Sequence, residues 1–154
     1  MTDTTTTTSM DLTTGDALAR GGARVLLRIE GLAAMSAAVI GFHFLGGSWA
    51  IFAALFLVPD LSLLGYRAGP RVGAILYNAG HSLIGPALLA AGALAFGAPT
   101  LVLGALVWVA HIGFDRALGY GLKHTDAFTS THLGRIGRAK ADAAQPAALR
   151  RAAM

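Results

Sequence analysis

The chain has no cysteine, which excludes disulfides, thiolate metal ligands and a cysteine nucleophile. It is also poor in charge. Only 13% of its 154 residues are Asp, Glu, Lys or Arg, about half the share of a soluble domain, whereas 55% are hydrophobic. Residues 1–16, MTDTTTTTSMDLTTGD, lack the basic and apolar regions of a signal peptide, so none is expected there. No Gly-rich phosphate loop joins a strand to a helix, no serine sits in a nucleophile-elbow context, and no heptad seam runs through the chain. The length is too short for two ordinary domains.

What is present is a set of four apolar runs, at residues 25–45, 48–66, 72–96 and 101–122. Each is long enough to cross about 30 Å of hydrocarbon at 1.5 Å per residue, and none alternates with period two. Short turns at 46–48, 67–71 and 97–100 hold Gly or Pro and make consecutive helices antiparallel. The expected fold is therefore all-α, an integral membrane four-helix up-down-up-down bundle spanning residues 23–123. A Thr-rich tail of low complexity (1–22) is expected to be disordered. A polar loop (124–134) is placed to cap the bundle, and a basic Ala-rich tail (135–154) follows it.

The basic residues orient the bundle. Arg20, Arg24 and Arg28 open the first span, Arg67 and Arg71 flank the middle turn, and Lys123, Arg135, Arg138, Lys140, Arg150 and Arg151 follow the fourth. The other two turns contain no Lys or Arg. The positive-inside rule then puts both termini in the cytoplasm. The net charge of +4 is accounted for by topology and anionic headgroups, so the lipid bilayer is the expected partner and nucleic acid is not.

The fourth span, WVAHIGFDRALGYGLK at 108–123, carries ionisable groups where lipid tails belong. Such groups are costly unless paired or facing a cavity, which makes them candidates for function. Counting from the cytoplasmic ends puts Glu30, Asp60, His81, Asp115 and His111 roughly 7–17 Å deep, all in the inner half. His111 and Asp115, four apart, share one helix face, and Tyr77, Asn78 and His81 share another. Pro59 and Pro86 each remove a backbone donor, leaving the carbonyls of Leu55 and Ser82 to line a pocket.

Two chemistries fit. His81, His111, Asp60, Asp115 and Glu30 would surround zinc, iron or manganese. Without a metal, Asp115 would orient His111 as a general acid or base, with His81 and Asp60 beside it. Tyr77, Asn78 and His132 complete the pocket, His132 as part of a lid with Thr129 and Thr131. The expected function is a small-molecule or metal site of a membrane-embedded enzyme, opening to the cytoplasm. The alternatives are a proton-coupled transporter or channel subunit, and an accessory protein whose polar cluster only fixes packing. Gly113, Ala117 and Gly121 form a small-residue ladder on the opposite face of the fourth span, suited to a homodimer contact.

Four blocks carry a resemblance: LLRIEGLAA (26–34), PDLSLLGYRAGPRVGAILYNAGHS (59–82), HIGFDRALGYGLK (111–123) and THLG (131–134). On these the chain resembles a bacterial family of small membrane proteins known as domain of unknown function 4260. The likeness covers residues 25–134 and departs from the expected pattern at His124, where an aromatic is anticipated. It implies a membrane protein, brings no assigned activity, and holds Glu30, Asp60, Asn78, His81, His111, Asp115 and His132 inside its motifs.

Overall fold

The computed structural model describes the backbone of residues 5–124, 130, 131, 134 and 135, and the side chains of residues 21–124 and 131. Its elements are α1 (Thr5–Phe44), α2 (Trp49–Phe56), a 3-10 helix (Pro59–Ala68), α3 (Pro70–His81), α4 (Ile84–Ala95) and α5 (Pro99–Leu118). A two-residue antiparallel ladder follows, β1 (Ser130–Thr131) against β2 (Gly134–Arg135).

Three helical stretches, Gly21–Phe44, Trp49–Ala68 and Pro99–Leu118, are long and apolar enough to cross a membrane. The pair α3 and α4, bent by 43° at a short break, makes a fourth if it is one span. Their outer faces remain apolar: Ile84, Leu88 and Leu94 are each more than two-thirds exposed. So broad an apolar surface marks a lipid or protein environment. α1 begins at Thr5, so the described part of the Thr-rich stretch is helical.

The second span is not the single α-helix that its hydropathy suggests. Pro59 has no N–H for the carbonyl of Leu55. That carbonyl instead accepts from Val58 N at 3.0 Å, a three-residue step, so it is not left to line a pocket. The three-residue spacing then persists for the ten residues Pro59–Ala68, far beyond the usual length of such a run. The tighter coil rises about 2.0 Å per residue, so α2 and the 3-10 helix together extend roughly 32 Å. Twenty residues thus reach across despite the break.

The third span breaks at Ser82, not at Pro86. Pro86 falls in the first turn of α4, where N–H groups have no helical partner in any case. Its ring would collide with the carbonyl four residues back if Ser82 stayed helical, and Ser82 is extended (φ −91°, ψ 148°). His81 is consequently the last residue of α3.

α5 is the central element: α1, α2 and α4 all pack on it, while the 3-10 helix packs on α3. The α1–α5 seam is close because glycine meets backbone. A Cβ on Gly113 would stand 2.6 Å from the Gly31 carbonyl oxygen and 2.7 Å from the Met35 nitrogen. A Cβ on Gly31 would stand 2.9 Å from the Ala117 nitrogen. Gly113 and Ala117, two of the three small residues expected to meet a second copy, thus face α1 of the same chain. α5 ends at Gly119 in the left-handed conformation (φ +94°), with Gly119 N donating to Arg116 O and Tyr120 N to Asp115 O. This double bond satisfies the last carbonyls, and Arg28 Nε adds a third at 2.8 Å on Ala117 O.

Candidate metal centre

Two irregular backbone features and one regular helix deliver the polar side chains. Asp60 stands in the first turn of the 3-10 helix. His81 ends α3, and His111 is the fully buried midpoint of the α5 face turned toward α3. Their donor atoms converge. His81 Nε2 and His111 Nε2 are 3.1 Å apart, and Asp60 Oδ1 lies 3.6 Å from the first and 3.7 Å from the second. One donor atom from each of the three residues falls within 4.8 Å of the others, a grouping able to hold a metal ion.

A supporting layer fixes the ring of His81. Its Nδ1 lies 2.9 Å from the carbonyl oxygen of Tyr77, an atom that only accepts, so the proton is on Nδ1 and Nε2 is bare in the neutral ring. The ring stacks on Tyr77 at 3.8 Å between centroids and 12° between planes. Tyr77 donates its hydroxyl to Asp115 Oδ2 at 3.1 Å, and that oxygen is 3.5 Å from His81 Nε2. His111 is braced by the edge of Phe56 at 5.2 Å, and its Nδ1 is buried with no hydrogen-bond partner.

The tautomer of His81 limits what His111 can do. If His111 carries its proton on Nε2, it donates across the 3.1 Å gap to His81. If the proton is on Nδ1, two nitrogen lone pairs face each other beside a carboxylate, and only a cation between them makes that arrangement favourable.

Asp60, His81, His111, Asp115 and Tyr77 are thus brought together, as their depths and faces predict. Asp115, however, reaches His81 and Tyr77 among the described residues, not His111 one turn earlier in its own helix. Glu30 is elsewhere. It is exposed on α1 and lines a separate cavity with Gly31, Gly113 and Arg116, on the face of α5 that meets α1. Depth alone placed it with the others, and the side from which α1 approaches removes it. Asn78 is engaged by the backbone that follows α5. Its amide pairs with the backbone of Lys123, Nδ2 donating to O at 2.9 Å and Oδ1 accepting from N at 2.7 Å.

That clamp folds the chain after α5 back under the cluster. Lys123 is only 5% exposed, its Nζ sits 5.1 Å above the Tyr77 ring, and its backbone bridges to buried Thr131. His132 and Thr129, anticipated as lid residues, lie outside the described residues, as does most of the loop and of the basic tail. Sequence reading overlooked Phe56 and Lys123. The spacing of Phe52 and Phe56, four apart and stacked at 5.6 Å, was the available signal for the first.

Two cavities flank the cluster. One of only about 10 Å³ lies between Tyr77, His81, Asp115 and the Tyr120–Leu122 turn. The other, of about 420 Å³, is lined by Leu55, Pro59, Ser62, Gly80, Leu89 and Trp108, among others.

A helical chain with membrane-length apolar segments and two buried histidines facing a half-exposed aspartate defines the class: a membrane-type helical protein with a potential metal site. The family model described as "Domain of unknown function (DUF4260)" matches residues 24–136, and the chain belongs to that family. Neither the curated proteins nor the solved structures give a match to the chain.

Proposed function

We propose that this chain is a four-helix up-down-up-down protein of the inner membrane, with both termini cytoplasmic, and that Asp60, His81 and His111 form the metal centre of a membrane-embedded enzyme. The approach of two imidazole Nε2 atoms to 3.1 Å, with one carboxylate oxygen near both, carries this reading. Two imidazoles and a carboxylate suit zinc, iron or manganese. The Tyr77 carbonyl on His81 Nδ1 supports it further, because metal-ligating histidines commonly donate their other ring N–H to such a group. A bound ion supplies Lewis acidity and an activated water. The protein's part is to hold His81 by Tyr77, to exclude bulk water, and to keep the Asp115 carboxylate, held by the Tyr77 hydroxyl, close enough to exchange a proton with a group at the centre.

The orientation rests on the basic residues gathered at one end of the spans, with Arg67 and Arg71 beside the turn before α3. A proton-coupled transporter would use the same chain of groups, Tyr77 to Asp115 to His81 to His111. It needs a polar continuation beyond His111, and the aromatic partner there is Phe56, stacked in turn on Phe52.

Elemental analysis of the purified full chain tests the proposal against His81→Ala and His111→Ala. Near-stoichiometric zinc, iron or manganese is expected in the native protein and is lost in both variants, with helicity retained. A native protein without metal, even after loading with each ion, ends the metal reading.

A further inference from the structure

From the cavity of about 420 Å³ we infer that the site takes a substrate with an apolar tail, entering sideways from the bilayer and lying with its polar end toward the His/His/Asp group. The inference rests on the reading of that group as the reacting centre and adds the class of molecule it serves.

The cavity wall includes chain neighbours of two donor residues and a residue one turn from the third. Pro59 precedes Asp60, Gly80 precedes His81, and Trp108 lies one turn before His111 on the same face of α5. Trp108 is held there by its indole N–H, which donates to Gly80 O at 2.6 Å. The cavity thus adjoins the backbone that carries two of the donors, although none of the three donor side chains lines it. The rest of the wall is apolar, and Leu55 and Val58 are 39% and 48% exposed on the membrane-facing side.

One wall group is polar without a partner: the Ser62 hydroxyl oxygen is buried and makes no hydrogen bond. The volume lies in the range of pockets that enclose small ligands, about 300–1,000 Å³. The opposite cavity, beneath the Tyr120–Leu122 turn, has about 10 Å³ and admits one water at most. Of these two cavities only the larger has room for anything bigger than water, and its lining selects an apolar body.

Hexadecanol carrying a terminal diazirine, photolysed with the full chain in nanodiscs, reads the site by peptide mapping. Labelling is expected to concentrate on Leu55, Val58 and Leu89, to saturate, and to be competed by unlabelled hexadecanol. A Cβ on Gly104 meets only Leu89, at 3.9 Å, so Gly104→Leu fills the cavity without forcing the backbone. Gly104→Leu and Leu89→Trp are each expected to lower saturable labelling about tenfold, the effect of displacing a couple of methylenes, with metal content unchanged. His81→Ala is expected to lose metal and keep the labelling. Labelling that does not saturate, that marks the lipid face of α1 at Ile29 and Leu32 equally, or that ignores both filling variants means annular lipid only and overturns the inference. Saturable labelling in a protein that holds no metal would instead retain the tail pocket and remove the metal centre.

Discussion

Gly113→Ala tests the seam on which the arrangement stands. The added methyl would lie 2.6 Å from the Gly31 oxygen, 2.7 Å from the Met35 nitrogen and 3.1 Å from the Met35 Cα. All three are backbone atoms and cannot rotate away. Ordinary contact needs about 3.5 Å, so α1 must move off α5 by roughly 0.5–1 Å, which forfeits a quarter to a half of the dispersion energy of each facing pair. An overpacked contact of this kind costs about 1–3 kcal/mol. Gly31→Ala meets the Ala117 nitrogen and the Gly113 oxygen at 2.9 Å and should cost a similar amount. The double variant should cost less than the sum, because the first methyl has already opened the gap for the second. Gly92→Ala in α4 is the control: nothing lies within 4 Å of its added Cβ, and alanine there gains about 0.5–1 kcal/mol of helix preference. Reversible unfolding in mixed micelles with increasing dodecyl sulfate measures all four. If Gly113→Ala proves as harmless as Gly92→Ala, α1 does not sit against α5 as described.

Three further outcomes are expected. Asn78→Ala removes both bonds to the Lys123 backbone and should raise amide exchange at Lys123 by about 5- to 150-fold, the equivalent of 1–3 kcal/mol of local opening, whereas Asn78→Asp, which keeps only the acceptor, should fall between. Tyr77→Phe deletes the donor to Asp115 and should lower metal affinity about 10- to 100-fold in competitive chelator titration while helicity persists; unchanged affinity would separate Asp115 from the centre. Lys123 supplies a pH dependence. Burial pushes its ammonium below the ordinary 10.5, with the Asp115 charge opposing. The folded state then binds fewer protons than the unfolded one, so the cost is fully present below the lowered value and is relieved as pH rises toward 10.5. Stability should climb across that window and flatten in Lys123→Met, and an unchanged slope in the variant would contradict the burial.

Depth was legible in the sequence and azimuth was not. Asp60, His81, His111 and Asp115 lie near one another because the count from basic turns fixes how far each sits along its helix, and i, i+4 spacing fixes which side chains share a face. Nothing in that arithmetic says from which side α1 reaches α5. Glu30, at the right depth, therefore sits on the wrong face, and the Gly113 and Ala117 positions serve an intrachain seam. The partner of Asn78 is equally beyond that arithmetic. The Asn78 amide is matched by the backbone of Lys123, which reaches it only after α5 ends and the chain doubles back.

The departures from regular helix are what assemble the site. In a continuous α-helix from Ser48 to Tyr66, Asp60 would fall on the face set by a 3.6-residue period; the three-residue steps that begin at Val58 rotate it about 20° further per residue. In an unbroken third span, the residue after His81 would continue the coil, whereas the extended Ser82 ends α3 at His81 and bends α4 away by 43°. Both breaks trace to prolines, Pro59 immediately before one donor and Pro86 five residues after another. Proline in an apolar span costs a backbone hydrogen bond that lipid cannot replace. Val58 and the first turn of α4 absorb that cost locally, so the distortion remains as a shape. That shape sets a carboxylate from one element against imidazoles from two others, and leaves an open volume beside them on the lipid side. Four straight apolar helices would fill that volume with leucine, and the imidazoles would have neither a carboxylate to face nor a cavity beside them.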